Sequence, residues 1–303
     1  MTGPARRIIV IVLIAMTLAA TPVISLAQPA GVPQFGSAEM VKIWFHVDYP
    51  VVTGKAQRSF TFGPELRLRC QEPYDEGDGG RRPVAYLDKA RLEETTPNSV
   101  TAGLLATELI SGQRQFGDNH FRTFPPATEP VAGDPVVSDA PTYASFARVA
   151  SINPAANRAP NRVGQLVTAT LNRTGQPGED AALARYGVTV ADYNEELGHN
   201  IPRVFIDFFN RSGDVAGIAP DGVTVDYWED RLLFWPDVMG FPLSEPYWAQ
   251  VPVGGVTKWV LIQPFQRRVV TYTPDNDPAF RVEMGNIGLH YLRWRHPGGS
   301  CAE

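Results

Sequence analysis

The stretch "EPYWAQVPVGGVTKWVLIQPFQRRVVTYTP" runs from Glu245 to Pro274, and its reading decides the fold. "KWVLIQPF" and "RRVVTYTP" are rich in β-branched and aromatic residues, the composition of strands. The pair Gly254-Gly255 ahead of them lets the chain reverse, because glycine tolerates positive φ. Pro264 inside the first run predicts an edge strand or a bulge. "TPDNDP" (273–278) is a proline-bounded turn, and "GNIGLHYLRW" (285–294) predicts a short closing helix. A lone two-stranded hairpin is not stable in water. It must pack on that helix or on a sister copy.

A sister copy is present. "EPYDEGDGG" (72–80) repeats the Glu-Pro-Tyr tripeptide and the glycine pair. With the tripeptides superposed, Arg58 falls on Arg231, Phe60 on Leu233, Phe62 on Trp235, Leu66 on Met239 and Leu68 on Phe241. After a two-residue shift the glycine pairs match, and "VAYLDKARLEETTP" (84–97) falls on "LIQPFQRRVVTYTP" (261–274), with Arg91 on Arg268. "VTAGLLATEL" (100–109) then falls on "VEMGNIGLHY" (282–291). This ordered series reads as an internal duplication.

Between the copies the composition changes. "TFPPATEPVAGDPVVSDAP" (123–141) reads as a linker or long surface loop. Four helix candidates follow: "PTYASFARVAS" (141–151), "NRVGQLVTATLNRTG" (161–175), "EDAALARYG" (179–187) and "NIPRVFIDFFNRSG" (200–213). The second places Val163, Leu166, Val167 and Leu171 on one face. The fourth has Asn200 as an N-cap and Gly213 past its end. The expected fold is a loop-rich α+β protein: two related β-hairpin–helix units around a helical segment. The expected divisions are a first unit at 28–122, a linker or surface loop at 123–140, a helical segment at 141–213 and a second unit at 214–303.

Residues 1–27 read as a secretory signal peptide. Arg6 and Arg7 form the positive region, "IIVIVLIAMTLAA" the apolar region, and Ser25 and Ala27 the small residues of a cleavage site. The competing reading is a retained anchor, since residues 8–27 carry no charge. Of 27 basic and 32 acidic residues, cleavage removes Arg6 and Arg7, leaving 25 against 32 and a net charge of −7. That sign does not attract nucleic acid or anionic lipid. Apolar residues make up 44% and charged residues 19%, a globular rather than a disordered composition. An exported compartment permits a Cys70–Cys301 disulfide, worth about 3–5 kcal/mol by loop entropy.

The segments "LGHNIPRVFIDFFNRSG", "MGFPLSEPYW", "VLIQPFQRRVVTYTPDN" and "VEMGNIGLHYLRWR" resemble an uncharacterised family of exported proteins of green non-sulfur bacteria. The first-half segments "RSFTFGPE" and "GGRRPVAYLDKARLE" resemble it too, so the likeness covers roughly 41–295. It implies export and carries no particular reaction. "GFPLSE" followed by an aromatic hairpin is also weakly similar to LGFP repeats, which are envelope-associated and non-catalytic. Gly240, Phe241 and Pro242 match that motif; Met239 stands where it has leucine, and residues 67–69 of the first copy read Arg-Leu-Arg.

Motifs for catalysis are missing from the sequence. There is no Gly-x-Ser-x-Gly elbow, no phosphate-cradling glycine loop leading into a helix, and no His/Cys set at metal-ligand spacing; no cofactor or metal is expected. His199 is expected at a turn beside Tyr193. Glycosidases need two carboxylates roughly 5–10 Å apart, and Glu72 and Glu245 hold matching places in the two copies. The plainer role of each is to brace its own Pro-Tyr turn. Tyr247, Trp248 and Trp259 are the aromatic candidates for stacking on a sugar ring; Tyr74 repeats Tyr247, whereas Asp75 replaces Trp248. The expectation is an exported, non-catalytic protein that binds or organises the cell surface, with envelope glycan or a surface protein as partner. The alternative is a secreted glycosidase-like hydrolase using Glu72 and Glu245.

Overall fold

The computed structural model describes residues 29–96 and 98–301. The expected signal peptide lies outside the described residues. The protein is of the mixed α+β class, as expected, with several small sheets.

The first element is helix α1 (Ala38–Val52). Its buried residues include Met40, Val41, Trp44, Phe45 and Val47, spaced as one helical face. Strands β1 (Leu68–Pro73), β2 (Arg81–Tyr86), β3 (Arg91–Thr96) and β4 (Ser99–Ala102) follow as an antiparallel meander, closed by α2 (Leu105–Ser111). Gly112 ends α2 at φ +74°, where a Cβ would lie 2.0 Å from the Phe124 carbonyl oxygen. Only glycine fits that cap. A short hairpin, β5 (Gln113–Gln115) and β6 (Phe121–Thr123), comes next.

The expected linker at 123–140 is packed along much of its length. Ala127 and Val131 donate main-chain bonds to Leu109 (2.9 Å) and Pro141 (3.0 Å), and Ala127, Val131 and Ala140 are buried. Val137 is almost fully exposed, at 99%. The expected helical segment at 141–213 is instead mixed. It contains α3 (Tyr143–Phe146), with a Thr142–Ser145 capping box, β7 (Ala169–Leu171), β8 (Pro177–Glu179), a 3₁₀ turn at Ala181–Tyr186, β9 (Val190–Asn194), β10 (His199–Pro202) and α4 (Arg203–Phe209). The helix read over 161–175 does not form. Val163 and Leu166 are half-exposed, and Gly164 and Gly175 have positive φ. The period-two set Val167, Ala169 and Leu171 wins, because Thr170 pairs with Trp248 of a strand far along the chain.

Strands β11 (Ser212–Ile218) and β12 (Val225–Arg231) form a separate hairpin, followed by α5 (Trp235–Met239). Its turn is "PDG": Asp221 accepts the main-chain N–H groups of Val223 (2.9 Å) and Thr224 (2.8 Å). The last unit is β13 (Tyr247–Val253), β14 (Val256–Pro264), β15 (Val269–Tyr272), β16 (Val282–Met284) and α6 (Ile287–Arg295). These strands form a six-stranded sheet in the order β16-β15-β14-β13-β7-β8. Pro264 ends an inner strand rather than marking an edge, and its carbonyl accepts from Leu243. Along β13, Tyr247, Ala249 and Val251 enter one core with α2, α3 and α6. Trp248 points the other way, into the core under α4, as strand alternation requires.

The first and last units share one element order: four antiparallel strands, then a helix. Each also places a hairpin turn on the other's helix. The turns are closed by Leu87 N–H to Ala90 O and Phe265 N–H to Arg268 O, both 2.8 Å. Leu289 of α6 then donates to Asp88 O, and Thr107 of α2 to Gln266 O, both at 3.1 Å. Lys89 Nζ reaches Met284 O, and Arg267 reaches Ala102 O. Each of these contacts is made twice with roles exchanged, the pattern of an isologous interface.

This geometry corrects the sequence register. Measured from those turns, Cys70, opposite Val84, and Tyr247, opposite Ile262, hold equivalent places. Glu72 lies two residues after Cys70, but Glu245 lies two residues before Tyr247. The tripeptides therefore do not correspond. The glycine turns misled: Gly254-Gly255 makes a two-residue hairpin loop with both φ positive, whereas the first hairpin closes through the longer loop 74–80. Cys70 and Cys301 are bonded, their Cα atoms 5.6 Å apart, and tie β1 to the tail beyond α6.

Candidate functional site

A wide cleft lies between α1 and the β11–β12 hairpin, with a volume of about 890 Å³. One wall is α1, presenting Val41, Phe45 and His46; the other carries Ala216, Ile218 and Trp228, with Leu233 and Phe234 at one end. Its floor is Thr61 and Phe62. Asp48 fixes that floor. Its buried carboxylate accepts the N–H groups of Thr61 (2.7 Å), Phe62 (2.7 Å) and Gly63 (3.0 Å). Burial still pushes the Asp48 carboxyl upward, against those bonds. Trp44 Nε1 donates to Gly63 O at 2.7 Å, and Gly63 sits at φ +132°, open to glycine alone. Arg58 ties the two walls together, donating to Val47 O and to Asp214 O.

The cleft is apolar and open. Phe234 is 60% exposed and Trp228 42%, and the Trp228 ring lies 5.6 Å from that of His46. The charged side chains among its lining are Glu39, Lys42 and Arg231, with His46 beside them. Sequence reasoning missed every one of these residues. The available signal was "GIAPDGVTVDYW" (217–228), a Pro-Asp-Gly turn between apolar, alternating runs.

The sequence candidates fall elsewhere: Glu245 and Tyr247 line one cleft, Trp248 and Trp259 meet beside another, and Glu72 stands in neither. Trp248 is fully buried; its Nε1 donates to Val167 O at 2.8 Å and its ring stacks on Tyr186 at 5.0 Å. It is a core residue with no surface on which a sugar could stack. The lesson from Asp75 fails with the register, since Asp75 does not stand at Trp248's place. Trp259 is half-buried against the same core. Tyr247 and Glu245 line a second, polar cleft of about 410 Å³.

Glu72 sits in a buried ionic cluster. It meets Arg91 at 3.3 Å, Arg295 at 3.3 Å and His296 at 3.1 Å, and accepts from the Tyr86 hydroxyl. Arg91 also meets Glu93 (2.5 Å) and Glu108 (3.2 Å), while Arg82 meets Glu93 at 3.0 Å. Burial by itself would raise the Glu72 carboxyl; Arg91, His296 and Arg295 outweigh it and hold it far below the ordinary range. Such a group is a permanent anion, unsuited to donate a proton. Cys70 lies beside Glu72 and His296, but its sulfur is bonded to Cys301. Glu72 and Glu245 share no hydrogen-bond or ion-pair partner among the described residues.

Glu245 has its own setting. His199 belongs to strand β10 and is fully buried, not at a turn beside Tyr193. Its Nε2 lies 2.8 Å from Ser151 Oγ and its Nδ1 3.4 Å from Glu245 Oε1. The order Ser–His–Glu resembles an acyl-transfer triad, but the burial is reversed. Ser151 is 1% exposed, lines neither of the two clefts, and its hydroxyl donates to Ala156 O at 2.5 Å. Glu245 is the member that reaches a cleft. The chain matches no family model, no curated protein and no solved structure. Among the described residues no helix is long and apolar enough to cross a membrane.

Proposed function

We propose that this is an exported, non-catalytic binding protein of the cell surface, and that the cleft between α1 and β11–β12 holds an apolar chain. The observation that carries this reading is the cleft itself: about 890 Å³, within the range of small-molecule sites and lined as they are. An acyl chain suits it better than a peptide. A peptide brings backbone N–H and C=O groups that need partners when buried, and the walls are aliphatic and aromatic side chains. Lys42 pairs with Glu39 at 3.7 Å, which leaves Arg231 as the unmatched charge of the lining and favours an acidic head group. The Cys70–Cys301 bond supports an oxidising compartment. The reciprocal hairpin–helix contacts support internal duplication, which supplies the frame rather than the site.

The test is titration of the purified protein with a naphthalene-sulfonate dye, followed by displacement with laurate. One saturable site is expected, competed by laurate and weakened at least about tenfold, or 1.4 kcal/mol, in Trp228→Ala with Phe234→Ser. Dye uptake that does not saturate, or that ignores both substitutions, overturns the reading.

A further inference from the structure

The second cleft, of about 410 Å³, is built differently. Glu245 is held at its edge with its side chain 14% exposed. Asn200 supplies two donors, its main-chain N–H to Oε1 and its Nδ2 to Oε2, both at 2.9 Å. Asn200 Nδ2 is itself anchored to Pro160 O at 2.9 Å. An ionised carboxylate accepts about four bonds, so Glu245 keeps acceptor capacity toward the cleft, and no Arg or Lys pairs with it among the described residues.

Tyr247 is the second observation. It is 9% exposed and lines the cleft, yet its hydroxyl has no hydrogen-bond partner among the described residues. The oxygen is not sealed from the cleft, so the hydroxyl is free to bond a molecule that enters it. Burial first, and then the charge of Glu245, pushes it up to about 12, so the hydroxyl keeps its proton and can donate. Arg158 and Arg162 balance Glu179 and Glu245 around the cleft. A net-neutral lining with both donors and acceptors suits a neutral ligand that also does both. Pro160, Pro246 and Leu166 add apolar plates between the polar groups.

We propose that this cleft is a saccharide site: Glu245 accepts hydrogen bonds from ring hydroxyls, the Tyr247 hydroxyl donates, and the prolines take the C–H face of the sugar. This does not rest on the acyl-chain reading, and either site can fail without the other.

Calorimetric titration with cellobiose and with N,N′-diacetylchitobiose tests it, beside the neutral peptide N-acetyl-Ala-Ala-amide. Saturable binding of a disaccharide is expected. Tyr247→Phe, which keeps the ring, should weaken it about three- to tenfold and Glu245→Gln at least about tenfold. Phe234→Ser, in the other cleft, should bind as the wild type does. If Glu245→Gln does not fold, Tyr247→Phe decides alone. Failure of both sugars at tens of millimolar overturns the proposal, as does binding of the peptide in their place, or unchanged affinity in Tyr247→Phe. Co-sedimentation with insoluble cell-wall polysaccharide, competed by the bound disaccharide, supports the site with a polymer as its source. Disaccharide binding without sedimentation supports it with a free sugar.

Discussion

The main-chain N–H of Leu289 donates to the carbonyl of Asp88 at 3.1 Å, so the closing helix of the second unit rests on the hairpin turn of the first. Thr107 makes the same bond to Gln266 in the opposite sense. The residue before Thr107 is Ala106, but the residue before Leu289 is Gly288. A Cβ at Gly288 would lie 2.0 Å from Leu87 O and 2.7 Å from Ala90 N. Gly288→Ala should therefore push α6 off the turn, costing about 1–3 kcal/mol as overpacking does. Urea unfolding measures it, and a change within about 0.5 kcal/mol would show that the contact yields freely.

The ionic cluster joins the same two units from another side. Arg91 is fully buried and meets Glu72, Glu93 and Glu108, while Arg295 of α6 meets Glu72 and Glu108. Arg91→Met leaves three carboxylates with less compensation. The expected loss is about 3–5 kcal/mol, the cost of stranding buried charge rather than the worth of the pair. Unfolding at neutral pH gives the number, and a loss under about 1 kcal/mol would mean the glutamates find water.

Trp248→Ala separates a packing role from a binding one. The indole is fully buried, stacks on Tyr186 and bonds Val167 O. Removing it should cost about 3–5 kcal/mol and lower the melting temperature of the whole protein. Wild-type stability with loss of ligand alone would return Trp248 to the surface role that its sequence position suggests.

The hairpin and closing helix of the second unit were legible because their signals are local. Val260–Ile262, the glycine pair and Ile287–Arg295 each carry their own pattern. The cysteine pair was legible from count and compartment. The register was not, because it depends on loop length: both glycine pairs look alike, yet one closes a two-residue turn and the other a seven-residue loop at 74–80. Val163–Leu171 read as a helix because four apolar residues satisfy helical spacing. The bridge from Thr170 to Trp248 that recruits Ala169–Leu171 as a strand is non-local. The apolar cleft was hidden for the same reason, since α1 and β12 lie far apart in the chain. Glu245 and Tyr247 were singled out for a tripeptide that proves not to be equivalent in the two units. Their shared cleft comes from Asn200 and Pro160, which nothing in the tripeptide announces.

His290 couples folding to pH. Its Nδ1 lies 2.8 Å from the hydroxyl of Tyr143, which is fully buried and has no other hydrogen-bond partner among the described residues. The hydroxyl therefore donates, and the imidazole is neutral with its proton on Nε2. Burial lowers the folded-state value to about 4 from 6.5, with Glu129 opposing and Arg293 assisting. The Glu129–Arg293 pair is itself closed at 2.7 Å. Above about pH 6.5 the ring is neutral in both folded and unfolded chains and contributes no pH dependence. As pH falls from there toward 4, the unfolded chain takes up the proton and the folded one does not, so stability is lost across that window and levels off below it. The full difference is on the order of 3 kcal/mol. His290→Gln keeps an acceptor for Tyr143 and removes the titration, so the wild-type stability curve should fall relative to the variant's between pH 6.5 and 4 and run parallel to it above. Parallel curves across the whole range would mean that the ring is protonated and solvated in the folded protein.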